Sequence, residues 1–254
     1  MGQARMEKKY ARAFLASLVL LTLNAQAKDV EMAWEKAMVY TPTESSLSKV
    51  SELALNAQHP ALIYLHGCTG ITGHDISWAK LAASRGFLVV MPDSMSRPNR
   101  KSNCDPRQRG GTNVFPQAYQ YRQQEITYAI DQVQAGTWWD KKNIFLMGHS
   151  EGGIATAQST HEVFNGLIIS GWTCTHTTNQ DFDGIKSPKK IPVIAIASID
   201  DGWRKGKPNE GRCANKADGR FLVQLDLEGK MHDTYHSAVA RDAVVKFLSD
   251  HLKQ

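Results

Sequence analysis

The chain has 254 residues, 42% of them hydrophobic and 22% charged, with a formal charge of +5. That balance belongs to an ordinary globular domain and excludes a disordered, fibrous or multiply membrane-spanning chain. Residues 1–27 carry Arg5, Lys8, Lys9 and Arg12 against Glu7, so the remainder has a charge of only +2, and no basic helix or basic-aromatic interleaving appears; nucleic acid is not an expected partner.

The first 27 residues read as a secretory signal peptide: a basic start, a short apolar stretch from Ala13 to Leu23, and the small-x-small site Ala25-Gln26-Ala27. The stretch is short for a bilayer span, and no cysteine follows the site to carry a lipid, so no membrane anchor is expected after cleavage. Residues 28–254 then form a single domain in the periplasm or outside the cell. Export places Cys68, Cys104, Cys174 and Cys213 in an oxidising compartment, where four cysteines allow three connectivities. The preferred pairs are Cys68 with Cys104 and Cys174 with Cys213, each joining loops at the same end of a sheet. None stands in a C-x-x-C, so no metal is expected at the cysteines.

Within the domain, residues from Glu31 to Leu55 are expected as antiparallel edge strands. Short apolar runs follow: Ala61 to Leu65, Phe87 to Met91, Ile144 to Met147, Leu167 to Ile169, Val193 to Ala197 and Phe221 to Leu227. Runs without polar alternation suit strands buried on both faces. A helix is expected from about Pro116 to Ala135, with Tyr119, Ile126, Ile130 and Val133 along one side. A closing helix carries Ala240, Ala243, Val244, Phe247 and Leu248 at i, i+3, i+4, i+7, i+8 spacing, with Asp233 as its expected cap. Strands alternating with helices imply a mostly parallel, doubly wound α/β sheet with helices on both faces, whose sites form at the carboxyl ends of strands.

Three polar stretches, Ser94 to Thr112, Thr173 to Lys190 and Gly202 to Arg220, are the long loops. The middle one is too short for a large helical cap, so an open site is expected. The first holds Arg97, Arg100, Lys101, Arg107 and Arg109 with one acid, Asp105. The expectation is a solvated surface loop, with a clamp for an anionic substrate as the alternative.

The most informative segment is Gly148-His149-Ser150-Glu151-Gly152-Gly153, directly after the apolar run ending at Met147. A G-x-S-x-G between a buried strand and a helix is the form of a nucleophile elbow, which exposes a serine hydroxyl on a tight turn near a base and backbone donors. Ser150 is the expected nucleophile. His232, in the loop after the last strand, is the expected base, with His236 the rival. The carboxylate that orients it is Asp201, with Asp200 the alternative. The backbone N–H groups of Glu151 and Cys68 are the expected oxyanion donors. Trp172 and Trp203, near strand ends, either line a substrate pocket or belong to the core.

The set His66-Gly67, Gly148 to Gly153, Asp201 and His232 resembles the α/β-hydrolase superfamily, and Val89-Val90-Met91-Pro92-Asp93 with the compact layout is similar to its dienelactone hydrolase branch. The resemblance covers nearly all of residues 28–254. That branch carries a cysteine at the elbow where this chain has Ser150, which points to serine esterases of the same branch. The resemblance implies a hydrolase acting on a small-molecule carboxylic ester or lactone through an acyl-enzyme, without a cofactor. A serine peptidase of the same fold, and a non-catalytic ligand-binding relative, are the alternatives.

Overall fold

The computed structural model describes residues 28–43, 48–53, 57–98, 100–102, 104, 117–175, 180–204 and 211–254; the expected signal peptide, Arg107, Arg109 and Asp105 lie outside them. Eight strands form one sheet in the order β2-β1-β4-β3-β5-β6-β7-β8. They are β1 (Met38–Tyr40), β2 (Ser48–Lys49), β3 (His59–Leu65), β4 (Leu88–Met91), β5 (Trp139–His149), β6 (Gly166–Ser170), β7 (Val193–Ser198) and β8 (Leu222–Leu227). β1 runs antiparallel to β2 and β4, and every other pairing is parallel.

The missing polar alternation in the sequence has its cause here. Ala61, Ile63 and Leu65 of β3 pack on one side with Ile126, Ala129, Ile130 and Val133 of α3 (Gln117–Ala135) and Ala155 of α4 (Glu151–Gln158). Leu62 and Tyr64 pack on the other side with Trp78 of α2 (Gly73–Ala83) and Val244, Phe247 and Leu248 of α5 (Ala238–Asp250). Because successive side chains point to opposite faces, a strand covered on both sides must be apolar at every position.

Two local expectations are corrected, and one helix is added. Residues 28–35 are helical (α1), so the edge strands begin only at Met38; Trp34 on that helix joins the core, and burial of an apolar helix face outweighs strand pairing there. Helix α5 is capped by Ser237, whose hydroxyl accepts from the Ala240 N–H at 3.3 Å, and not by Asp233, which lies four residues ahead of it. Helix α2 was not assigned from the sequence, although the Asp75 carboxylate accepts from both the N–H and the hydroxyl of Thr72 at 2.7 Å, fixing its start.

Both expected disulfides are present, Cys68–Cys104 and Cys174–Cys213. No helix of the described residues is long and apolar enough to cross a membrane.

The strand order reverses direction around β3: the chain passes from β3 to β4 on one side and then crosses to β5 on the other. A crevice therefore opens at the carboxyl ends of β3 and β5, where the G-x-S-x-G lies. Its glycines are set by contact. A Cβ on Gly148 would fall on the Gly152 carbonyl, one on Gly152 would fall on the carbonyls of Leu65 and His66, and one on Gly153 would stand 2.8 Å from the Ser170 oxygen. These obstacles are backbone and cannot swing away. Gly152→Ala is therefore expected to cost about 3 kcal/mol of stability, whereas Gly73→Ala, whose Cβ would meet nothing within 4 Å, is expected to change it by less than about 1 kcal/mol. Chemical denaturation of the two variants reads the difference, and equal midpoints would refute the rigidity of this approach.

Candidate functional site

Ser150 sits between β5 and α4 with φ 54° and ψ −114°, a left-handed region rarely occupied by a residue bearing a side chain. Its N–H donates to the Ser170 carbonyl at 2.8 Å, and its carbonyl accepts from Ile154 at 3.0 Å, so both sides of the strained residue are held. Ser150 precedes the first residue of α4, and the first amides of a helix have no intrahelical partner. Glu151 opens that first turn. Gly67 packs against the elbow from β3, where an added Cβ would stand 3.6 Å from Ser150 Cβ. The loop that begins with Cys68 is thus brought beside the serine.

At the far side of the crevice, His232 Nδ1 lies 2.6 Å from Asp201 Oδ2. Asp201 is almost fully buried, and its other oxygen accepts the Trp203 N–H at 2.9 Å. Two bonds hold the loops that carry the pair: Asp200 donates its N–H to the Gly229 carbonyl at 3.0 Å, and the Ser198 hydroxyl donates to the Met231 carbonyl at 2.5 Å. The adjacent aspartates divide these tasks, since the backbone of Asp200 ties the loop while the side chain of Asp201 meets the histidine. His236 ends a short 3-10 turn, Thr234–His236, and is exposed.

His232 also approaches the elbow. Its ring centroid is 4.7 Å from that of His149, the residue before Ser150. Gly171 (φ 67°) passes beneath the two rings, and a Cβ there would stand 2.8 Å from His149 Cε1 and 3.3 Å from His232 Cε1. Of the two tryptophans, Trp172 is buried in the core beside the Cys174–Cys213 disulfide. Trp203 is 41% exposed with its ring centroid 5.9 Å from that of His232.

The arginine loop departs from its expectation of a solvated surface. Lys101 is exposed, but Arg97 and Arg100 turn inward and are buried. Arg100 donates to Glu151 Oε1 at 2.5 Å and to the Lys101 carbonyl; Arg122 of α3 donates to the same Glu151 oxygen at 3.0 Å and to the His66 carbonyl at 2.8 Å. Glu125, one turn along α3, takes Arg122 at 3.3 Å, Arg97 at 3.4 Å and the Ser94 hydroxyl at 2.7 Å. Arg97 also lies over the Tyr121 ring at 3.8 Å. Arg97 and Arg100 are thus committed to internal carboxylates and not to an anionic substrate. The side chain of Glu151, given no role from the sequence, links α3 and the Ser94 loop to the first turn of α4.

Arg122 and Glu125 escaped sequence reading although they share the buried side of α3 with Tyr119 and Ile126, at i+3 and i+6 from Tyr119. Polar residues falling on an apolar helix stripe were the available signal.

His66 is fully buried, and the burial, together with the Arg122 guanidinium, holds its imidazole well below its ordinary pKa. Its Nε2 accepts the Ser94 N–H at 3.1 Å, which assigns the proton to Nδ1, 2.6 Å from the Gly67 carbonyl. His149 is also held well below its ordinary value, by burial and by the neighbouring His232 and His74, and His74 is lowered by burial against the pull of Asp233 and Asp75. His149, His74 and Asp233 form a compact group beside the triad candidates.

No family model matches the sequence. The bifunctional acetylxylan esterase/xylanase XynS20E of Neocallimastix patriciarum is 26% identical over 182 residues, a stretch that covers 66% of this chain. The chain spans only 24% of that relative's length. Among solved structures, TT1662 from Thermus thermophilus superposes with a TM-score of 0.61 at 14% identity, covering 88% of this chain and 96% of its own. Ferulic-acid-bound Est1E from Butyrivibrio proteoclasticus superposes with a TM-score of 0.58 at 13% identity, covering 85% and 94%.

The three buried neutral histidines make stability depend on pH. Each binds a proton more readily unfolded than folded, so the stabilisation of the neutral form is complete above pH ~6.5 and is lost as pH falls below it, by up to about 1.4 kcal/mol per pH unit for each histidine. Denaturant unfolding at pH 7 and pH 5 is expected to show this loss; a midpoint unchanged over the range would contradict it.

The strand order with its reversal beside β3, the strained serine between β5 and α4, the acid and histidine at the ends of β7 and β8, and these likenesses converge on one architecture, and the chain has the α/β-hydrolase fold.

Proposed function

We propose that residues 28–254 form one exported serine hydrolase domain, of the dienelactone hydrolase-like branch, that cleaves carboxylic esters through an acyl-enzyme. The observation that carries the reading is the 2.6 Å contact of His232 Nδ1 with buried Asp201, next to the serine elbow. An Asp201 carboxylate accepting from Nδ1–H leaves Nε2 as the basic nitrogen and stabilises the imidazolium once it takes a proton. His232 Nε2 removes the Ser150 hydroxyl proton as Oγ bonds to the ester carbonyl carbon. The carbonyl oxygen becomes an oxyanion that accepts from the N–H groups of Glu151 and Cys68. Collapse breaks the bond to the alcohol oxygen, which leaves with the proton from His232. Water, deprotonated by the same histidine, attacks the acyl carbon in turn, and Ser150 leaves with the proton. No step calls on a cofactor.

The two disulfides support export, since such bonds persist in oxidising compartments. The acetylxylan esterase in the name of the Neocallimastix patriciarum relative and the ferulic acid bound to Est1E support a small acyl group, acetyl or hydroxycinnamoyl, as the substrate class, with lactones the wider possibility. Trp203, exposed beside His232, is the aromatic surface on which a planar acyl group would stack. Trp172 belongs to the core and is given no substrate contact.

Hydrolysis of p-nitrophenyl esters from acetate to octanoate, and of methyl ferulate, tests the reading. The native chain is expected to cleave the short esters, with kcat lowered about 10⁶-fold in Ser150→Ala and about 10⁴-fold in Asp201→Asn, while Asp200→Asn stays within a few-fold of native. Equal rates in native and Ser150→Ala protein would overturn the assignment.

A further inference from the structure

His74, His149 and Asp233 meet from three separate elements: the second residue of α2, the last residue of β5 and the loop after β8. Asp233 Oδ1 is 3.6 Å from His149 Nε2 and 3.9 Å from His74 Nδ1. One donor atom from each of the three residues lies within 4.8 Å of the other two. These separations exceed hydrogen-bond length. They lie nearer another contact: ligands ~2.0–2.2 Å from a tetrahedral zinc stand about 3.3–3.5 Å from one another, so the two Asp233 separations need a contraction of a few tenths of an ångström and the two imidazoles, whose donor atoms lie within 4.8 Å, an approach of up to about 1.3 Å.

A second observation is independent of those distances. The His74 side chain is only 3% exposed, yet neither of its ring nitrogens has a hydrogen-bond partner. Buried imidazole nitrogens are ordinarily satisfied, and Nδ1 here faces the Asp233 carboxylate without bonding to it. His149 shows the complementary feature. Its Nδ1 is 3.1 Å from Ser170 Oγ, which is itself 2.7 Å from Thr234 Oγ1. With Nδ1–H donated to Ser170 and the Ser170 hydroxyl donated to Thr234, the lone pair of Nε2 points toward Asp233. An outer partner that fixes the tautomer in this way is the ordinary support of a metal-bound histidine. Asp233 is half exposed and provides the route of entry from solvent.

We propose that His74, His149 and Asp233 form a site for a divalent transition metal, zinc by its two imidazoles and one carboxylate, with the fourth position left to water. Binding would join α2, the elbow strand and the loop that carries His232 into one rigid unit. The site uses no triad residue, so it stands whether or not the esterase reading holds.

Equilibrium dialysis of the purified chain against zinc and against cobalt(II), with bound metal counted by atomic emission, tests it. One equivalent of either metal is expected, with the intense visible absorption of four-coordinate cobalt and a melting temperature that rises with free zinc. Asp233→Asn and His74→Ala are each expected to weaken binding about a hundredfold or more, and Ser170→Ala about tenfold, the range seen when an outer partner is removed. Asp233 is half exposed, so its variant serves if His74→Ala does not fold, with circular dichroism as the check on native structure. Substoichiometric metal on the native chain, or unchanged binding by folded Asp233→Asn, overturns the site.

Discussion

The structure depends on how closely helix α4 approaches the ends of β3 and β5. Three glycines let backbone rest on backbone there, and the positive φ of Ser150 is the conformational consequence of turning a strand into a helix within one residue. A strained residue of this kind persists only where its surroundings over-determine it. Here they do: its amide is bonded to β6, its carbonyl to α4, and Gly67 of the neighbouring loop closes against its Cβ.

The second support is electrostatic. Arg97, Arg100 and Arg122 with Glu125 and Glu151 form a buried network that spans the Ser94 loop, α3 and the first turn of α4. Burying five ionisable side chains is costly unless each is paired with good geometry. Guanidinium groups meet this demand by offering several donors in one plane, and Arg122 uses that capacity to bridge both carboxylates and the His66 carbonyl together. The bridged groups lie directly behind the two backbone segments, residues 66–68 and 150–151, that border the crevice. Burial pushes the Glu125 carboxyl upward while Arg122, Ser94 and Arg97 pull it back. Removing one arginine would leave a buried acid unpaired, the more expensive half of such an arrangement.

On the opposite side of the crevice the ties are backbone and hydroxyl hydrogen bonds and a disulfide. Hydrogen bonds from Asp200 and Ser198 are among those that join the loops carrying Asp201 and His232. The Cys174–Cys213 disulfide anchors the loop after β6 to the turn before β8.

The sequence by itself determined the parallel sheet, because strands buried on both faces must be apolar at every position, and Ala61 to Leu65 or Val193 to Ala197 cannot be read otherwise. It determined the elbow, because glycines at 148 and 152 around a serine after such a strand have few other uses, and it ordered the serine, acid and histidine along the chain. For the disulfides it left three connectivities open with a preference for loops that share an end of the sheet, and the fold selects that pairing. Tertiary structure alone decided what depends on distance across the fold. Which of two adjacent aspartates meets His232 depends on the twist of one turn after β7. Arg97 and Arg100, basic residues in a polar loop, are locally indistinguishable from solvated ones, and only the carboxylates of α3 and α4 draw them inward. Asp233 reads as a helix cap until Ser237 is seen to take that place. His74, His149 and Asp233 are separated by 75 and 84 residues in the chain and share no local pattern; only the folding of three elements onto one crevice brings their donor atoms together.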